Sequence, residues 1–147
     1  MGTKYITDNA NGDIPQQVIY GAISATTFYG DGSNLSGITI TPAYKVYTAL
    51  LTQTGTTAPV ATVLENTLGG TVVWTYDIVG LYNATLNGVF LPNKTVVFCT
   101  KQSSGNGGIT IYGSRVDNST IYIRVSDSIT NVDGELTDAS IEIRVYN

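Results

Sequence analysis

Alternation of apolar and polar residues is clearest at the C-terminal end of the chain. In Ile121-Tyr122-Ile123-Arg124-Val125, and again in Ile141-Glu142-Ile143-Arg144-Val145-Tyr146, aliphatic residues occupy every second position. Successive side chains of a strand point to opposite faces, so each segment offers an aliphatic row to a core and an amphipathic row outward. Similar segments predict strands near 44–53, 59–65, 71–78, 81–87, 94–100, 109–116, 120–126 and 140–146. Turn chemistry separates them at Thr54-Gly55, Gly69-Gly70, Val79-Gly80, Asn87-Gly88, Gly105-Asn106-Gly107-Gly108, Asp117-Asn118 and Asp133-Gly134. No window repeats apolar residues at helical spacing. Short strands with turns every ~8–12 residues predict an all-β head, a β-sandwich of jelly-roll type. Strands consecutive in sequence tend to be neighbours, which would put Tyr122, Arg124, Glu142, Arg144 and Tyr146 on one sheet face. Trp74 alternates with Val72 and Tyr76 and is expected on a central strand, as a core or subunit-interface residue.

A different texture precedes the strands. Residues 1–43 are polar and punctuated by glycine, with short apolar patches at Val18-Ile19-Tyr20 and Phe28-Tyr29. Pro42 makes a plausible hinge, because it cannot donate a ladder hydrogen bond and it restricts the residue before it. The expected division is an N-terminal extension with a neck at 1–43 and a head at 44–147.

Composition sharpens this picture. The charged share is 12%, about half of the ~25% usual in globular proteins, while the hydrophobic share is 42%. Thr, Ser, Asn and Gly fill the gap, a balance that suits strands and turns and argues against disorder. Net charge is −4, and the seven basic residues are scattered along the chain. Nucleic-acid binding draws on clustered cations, so no nucleic-acid partner is expected. No apolar run approaches the ~20 residues of a membrane span, and the first residues carry no signal-peptide pattern. Synthesis in a cytoplasm and no membrane partner are the expectations.

Candidate chemistry is sparse. The chain has no His, which removes Ser-His-Asp and Cys-His nucleophile activation and the commonest zinc ligand sets. The single Cys99 sits in a strand-like segment and reads as a small core side chain. Asp127, Asp133, Glu135 and Asp138 share one loop and read as a solvated turn. A calcium loop of the EF-hand kind would need ligands where Ile129 and Ser140 stand. Gly30-Asp31-Gly32-Ser33-Asn34-Leu35 lacks the third Gly of a dinucleotide loop and the Lys of a phosphate loop. The expectation is a protein without catalytic residues, cofactor or metal.

One segment carries a resemblance. Ala25-Thr26-Thr27-Phe28-Tyr29-Gly30-Asp31-Gly32-Ser33-Asn34-Leu35-Ser36-Gly37-Ile38 is similar to the A-x-x-F-x-G-D-G-S-x-L-x-G-I element of bacteriophage tail-fibre and other virion structural proteins. In those proteins the element often stands just before a C-terminal head. The remainder, from Tyr44 through Tyr146, resembles terminal β domains of phage and bacterial proteins, a likeness that brings no defined activity. The resemblance implies a non-enzymatic virion component of a tail fibre or spike, assembled as a homotrimer and contacting other virion proteins. Phe28, Leu35 and Ile38 are too few for a core of their own, and are expected to meet their copies in an oligomer interface. Attachment to a host-surface glycan would fall to the polar loops, with Gln102, Asn106, Asn131 and Asp133 as candidate contacts. A bacterial surface or filament subunit, joined by β-strand addition, is the alternative.

Overall fold

A computed structural model describes residues 41–101 and 108–147. The described chain is all-β: eight strands in two antiparallel four-stranded sheets. They are β1 (Tyr44–Thr52), β2 (Val60–Asn66), β3 (Val73–Ile78), β4 (Leu81–Thr85), β5 (Thr95–Thr100), β6 (Thr110–Arg115), β7 (Thr120–Ser126) and β8 (Ala139–Tyr146). One sheet has the order β2-β1-β8-β5 and the other β3-β4-β7-β6. Three hairpins, β1–β2, β3–β4 and β6–β7, stay within a sheet, and every other connection crosses between sheets.

The alternation read from the sequence is what builds the core. Ile121, Ile123 and Val125 of β7 are buried, as are Ile141, Ile143 and Val145 of β8, while the residues between them are more exposed. Tyr47, Ala49 and Leu51 of β1 and Tyr82 and Ala84 of β4 join them between the sheets. Leu68, Phe90 and Leu136 fold in from connections and close the ends of this layer. Each large aliphatic or aromatic side chain so buried contributes roughly 1.5–3 kcal/mol against the entropy of ordering the chain.

Two sequence expectations are corrected. The last two strands are not neighbours: β7 lies between β4 and β6, and β8 lies between β1 and β5 of the other sheet. Tyr122 and Arg124 therefore do not share a face with Glu142, Arg144 and Tyr146. The cause is the connection after β7, which pairs Ser126 with Asn131, buries Leu136 and carries the chain across the sandwich. Trp74 is buried as expected, but β3 is an edge strand rather than a central one. The ring turns inward, and its Nε1 donates to the Tyr47 hydroxyl of the opposite sheet at 3.1 Å.

The two lateral margins of the sandwich differ. At one, β5 and β6 approach across the sheets, and Gly113 makes this possible. A Cβ at Gly113 would collide with Val97 of β5 and with Ile123. At the other margin stand β2 and β3, each paired on one side only.

Candidate interaction surfaces

The acidic loop is solvated at Asp127 and Asp138, as expected, but Asp133 is drawn into the fold. Asp133 takes three donors: the Gly80 amide on Oδ1 at 2.7 Å, the Tyr82 hydroxyl on Oδ1 at 3.0 Å and the Tyr76 hydroxyl on Oδ2 at 3.1 Å. Gln53, the one buried polar residue described, completes the cluster. Its Oε1 accepts from the Gly134 amide at 2.8 Å and lies 3.0 Å from the Tyr82 hydroxyl. Its Nε2 donates to the carbonyls of Gly55 and Thr57. The single Tyr82 proton is thus shared between two acceptors from different segments. Burial, followed by the hydrogen bond to the Asp133 carboxylate, pushes the Tyr82 hydroxyl well above its ordinary titration range. Asp133 thus ties the loop before β8 to β3, β4 and the turn between them, and Gln53 ties the same loop to the end of β1.

Gly80 belongs to the same cluster. It has a left-handed backbone, φ 66°, and a Cβ there would strike the backbone of Val125 and Val132. Only glycine meets both demands, so the Val79-Gly80 turn can bring its amide to Asp133.

The other predicted contact residues separate. Asn131 is half-buried, and its Oδ1 accepts from Arg124 Nε at 2.7 Å. Asp127 caps its own turn, accepting the Thr130 amide at 2.7 Å and the Ile129 amide at 2.9 Å. Those backbone donors, Thr130 foremost, hold its carboxyl below the usual range. Gln102 and Asn106 lie outside the described residues, as do Phe28, Leu35 and Ile38. Cys99 is half-buried and faces the core, and burial raises its thiol above the ordinary value. Among the described residues no three His, Cys, Asp or Glu side chains gather into a metal-binding group.

Sequence reasoning missed the aromatic and arginine clusters on the two outer faces. Across β1, β8 and β5 the register aligns Thr48 with Glu142 and Phe98, and Val46 with Arg144 and Val96. On this face the Arg144 guanidinium lies 4.8 Å from the Tyr44 ring centroid and 5.2 Å from that of Phe98. It also pairs with Glu142, and Tyr44 packs on Tyr146 with centroids 5.2 Å apart. Hydrogen bonds to Tyr146 and then to Glu142 hold the guanidinium charged. A shallow depression of about 270 Å³ beside it is lined by Phe98, Thr100, Ser140 and Glu142. The opposite face, by register, carries Val73, Leu81, Asn83, Tyr112, Tyr122 and Arg124, with the Tyr112 and Tyr122 rings edge to face and the Arg124 guanidinium 6.0 Å from the Tyr112 ring centroid.

The β2 margin is the most apolar edge. Val60, Val63 and Leu64 are exposed to 72%, 51% and 62%; Val73 and Ile78 of β3 are also exposed, but on the outer face of the other sheet. Val63 points to the core side of its sheet yet stays open, because the facing sheet ends at β3. No protein-family model, curated protein or solved structure matches this chain.

Proposed function

We propose that this chain is a non-enzymatic structural component of a virion, of tail-fibre or spike type. In this reading the element around Gly30–Ile38 forms a trimeric neck, and the sandwich is a rigid head able to contribute to host attachment. The observation that carries it is the G-D-G-S-x-L-x-G-I element standing directly before an all-β head that begins at Tyr44. The head supports the reading by its construction: a closed core, a clamped loop and polar surfaces suit a scaffold that presents loops. Other virion proteins and a host-surface glycan are the partners it implies. The test is the mass of the full chain by sedimentation at low concentration, with Leu35→Asp as the companion variant. A three-copy particle that dissociates in the variant is expected; a monomeric full chain overturns the trimeric neck. Release of oligosaccharides from bacterial polysaccharide, lost on substitution of one carboxylate, would overturn the non-enzymatic part.

The β2 margin favours a second reading, a surface or filament subunit assembled by strand addition. Particles that lengthen without limit as concentration rises would mark that reading.

A further inference from the structure

The connection between β4 and β5 begins with the dipeptide Asn87-Gly88, and both residues are exposed. Ser119, in the β6–β7 turn and 32 residues from Asn87 along the chain, touches both of them with one hydroxyl. Its Oγ accepts the Gly88 amide at 3.0 Å and donates to Asn87 Oδ1 at 3.3 Å. Backbone bonds hold the two turns together. The Leu86 amide donates to the Ser119 carbonyl at 2.9 Å, and the Phe90 amide to the Asn118 carbonyl at 2.8 Å. The Ser119 amide in turn donates to Asp117 Oδ1 at 2.7 Å. Gly88 has a left-handed backbone, φ 70°, and no side chain to screen its nitrogen. One hydroxyl therefore rests on the carboxamide oxygen of Asn87 and on the backbone nitrogen that follows it.

We propose that Asn87 is a site of spontaneous deamidation assisted by the Ser119 hydroxyl, with water as the co-reactant. The Gly88 nitrogen, having lost its proton to solvent base, adds to Asn87 Cγ. The new N–Cγ bond closes a succinimide ring, and the bond from Cγ to the side-chain nitrogen breaks as ammonia leaves with a proton from solvent. Water then opens the ring. Cleavage of the N–Cγ bond gives aspartate, and cleavage at the Asn87 backbone carbonyl gives isoaspartate; nothing is oxidised or reduced. The hydrogen bond that Ser119 donates draws electrons from the carboxamide and stabilises the charge its oxygen gains as the nitrogen adds. The hydrogen bond it accepts keeps the Gly88 nitrogen beside that carboxamide. Either product places a new carboxylate in the connection that crosses between the sheets, just before the buried Phe90.

The test is a peptide map by mass spectrometry of the folded full chain, aged in mildly alkaline buffer made with heavy-oxygen water. The Asn87 peptide should exchange its side-chain NH2 for an OH group carrying solvent oxygen, as an aspartate and isoaspartate pair. Asn11-Gly12 and Asn106-Gly107 share the dipeptide, so Asn87 conversion is read relative to theirs in the same digest. Ser119→Ala should slow it about three- to tenfold, the worth of one hydrogen bond. Ser119→Thr, which keeps the hydroxyl, should restore most of the rate. Far-UV circular dichroism checks that each variant keeps its strands. Ageing in urea is the second arm: Ser119 reaches Asn87 only through the fold, so all three proteins should then convert Asn87 at one rate. The inference is overturned if Asn87 stays intact in the folded chain while Asn11 and Asn106 convert, or if Ser119→Ala converts as fast as the parent. It is also overturned if the difference between them persists in urea.

Discussion

Asp133 shows how a single residue's role turns on what surrounds it. As one carboxylate in a polar loop it was a natural candidate for touching a glycan, yet its oxygens are spent on Gly80, Tyr76 and Tyr82. Asp133→Ala should therefore act first on stability, by about 1–3 kcal/mol for the donors left unpaired, as chemical denaturation would measure. Tyr82→Phe should cost a similar amount, because it deprives both Gln53 and Asp133 of a donor. The pH dependence has a definite sign. The folded Tyr82 hydroxyl titrates above its unfolded value, so its contribution is complete below ~10 and declines as pH rises past that point. Asp127 behaves oppositely: its depressed carboxyl supports the 127–130 turn above the unfolded value near ~3.9 and loses that support as pH falls further. The amide resonances of Ile129 and Thr130, followed by NMR, should shift with that acid titration and stop doing so in Asp127→Asn. Asp127's local role was legible from sequence, since an Asp before Ser-Ile-Thr suits a turn. The role of Asp133 was not, because Tyr76, Tyr82 and Gln53 are 57, 51 and 80 residues away along the chain (133 − 53 = 80).

Strands themselves were readable because period-two alternation and glycine turns are local properties. β8 is expected at 140–146 and found at Ala139–Tyr146, and β7 lies at Thr120–Ser126 as expected. Pairing was less legible. The alternation in β7 and β8 says that each has a buried row, and both do; it says nothing about which sheet each joins. Likewise the pattern Val72, Trp74, Tyr76 is satisfied by an edge strand as well as by a central one, provided one face is covered. The closed margin offers a test of element packing. Gly113→Ala should destabilise the sandwich by about 1–3 kcal/mol, because the new methyl meets Val97 and Ile123. Val97→Ala removes one of those neighbours, so the double variant should be more stable than the sum of the two single losses. A thermodynamic cycle from denaturant unfolding measures that coupling, and simple additivity would mean that β5 and β6 do not press on one another there.

At the scale of the whole molecule the described sandwich is asymmetric: β5 and β6 pack on each other at one margin, while β2 and β3 at the other are each paired on one side only. This asymmetry separates edge assembly from face assembly. Arg144→Glu disrupts the Tyr44–Arg144–Phe98 stack and sets two carboxylates side by side with Glu142. If subunits join by strand addition at β2, that variant should associate as the parent does, and a change in sedimenting mass would transfer the contact to the face that carries Arg144. The asymmetry was hidden in the sequence because exposure at Val63 depends on where the opposite sheet ends. The tie between Trp74 and Tyr47 has another consequence. The chain's only tryptophan is buried and hydrogen-bonded to a tyrosine of the facing sheet. Its fluorescence should accordingly be blue-shifted in the native protein, and its emission should follow the parting of the two layers rather than the fraying of either one. A built-in optical gauge of inter-sheet separation thus comes with the fold, requiring no label and no engineered probe.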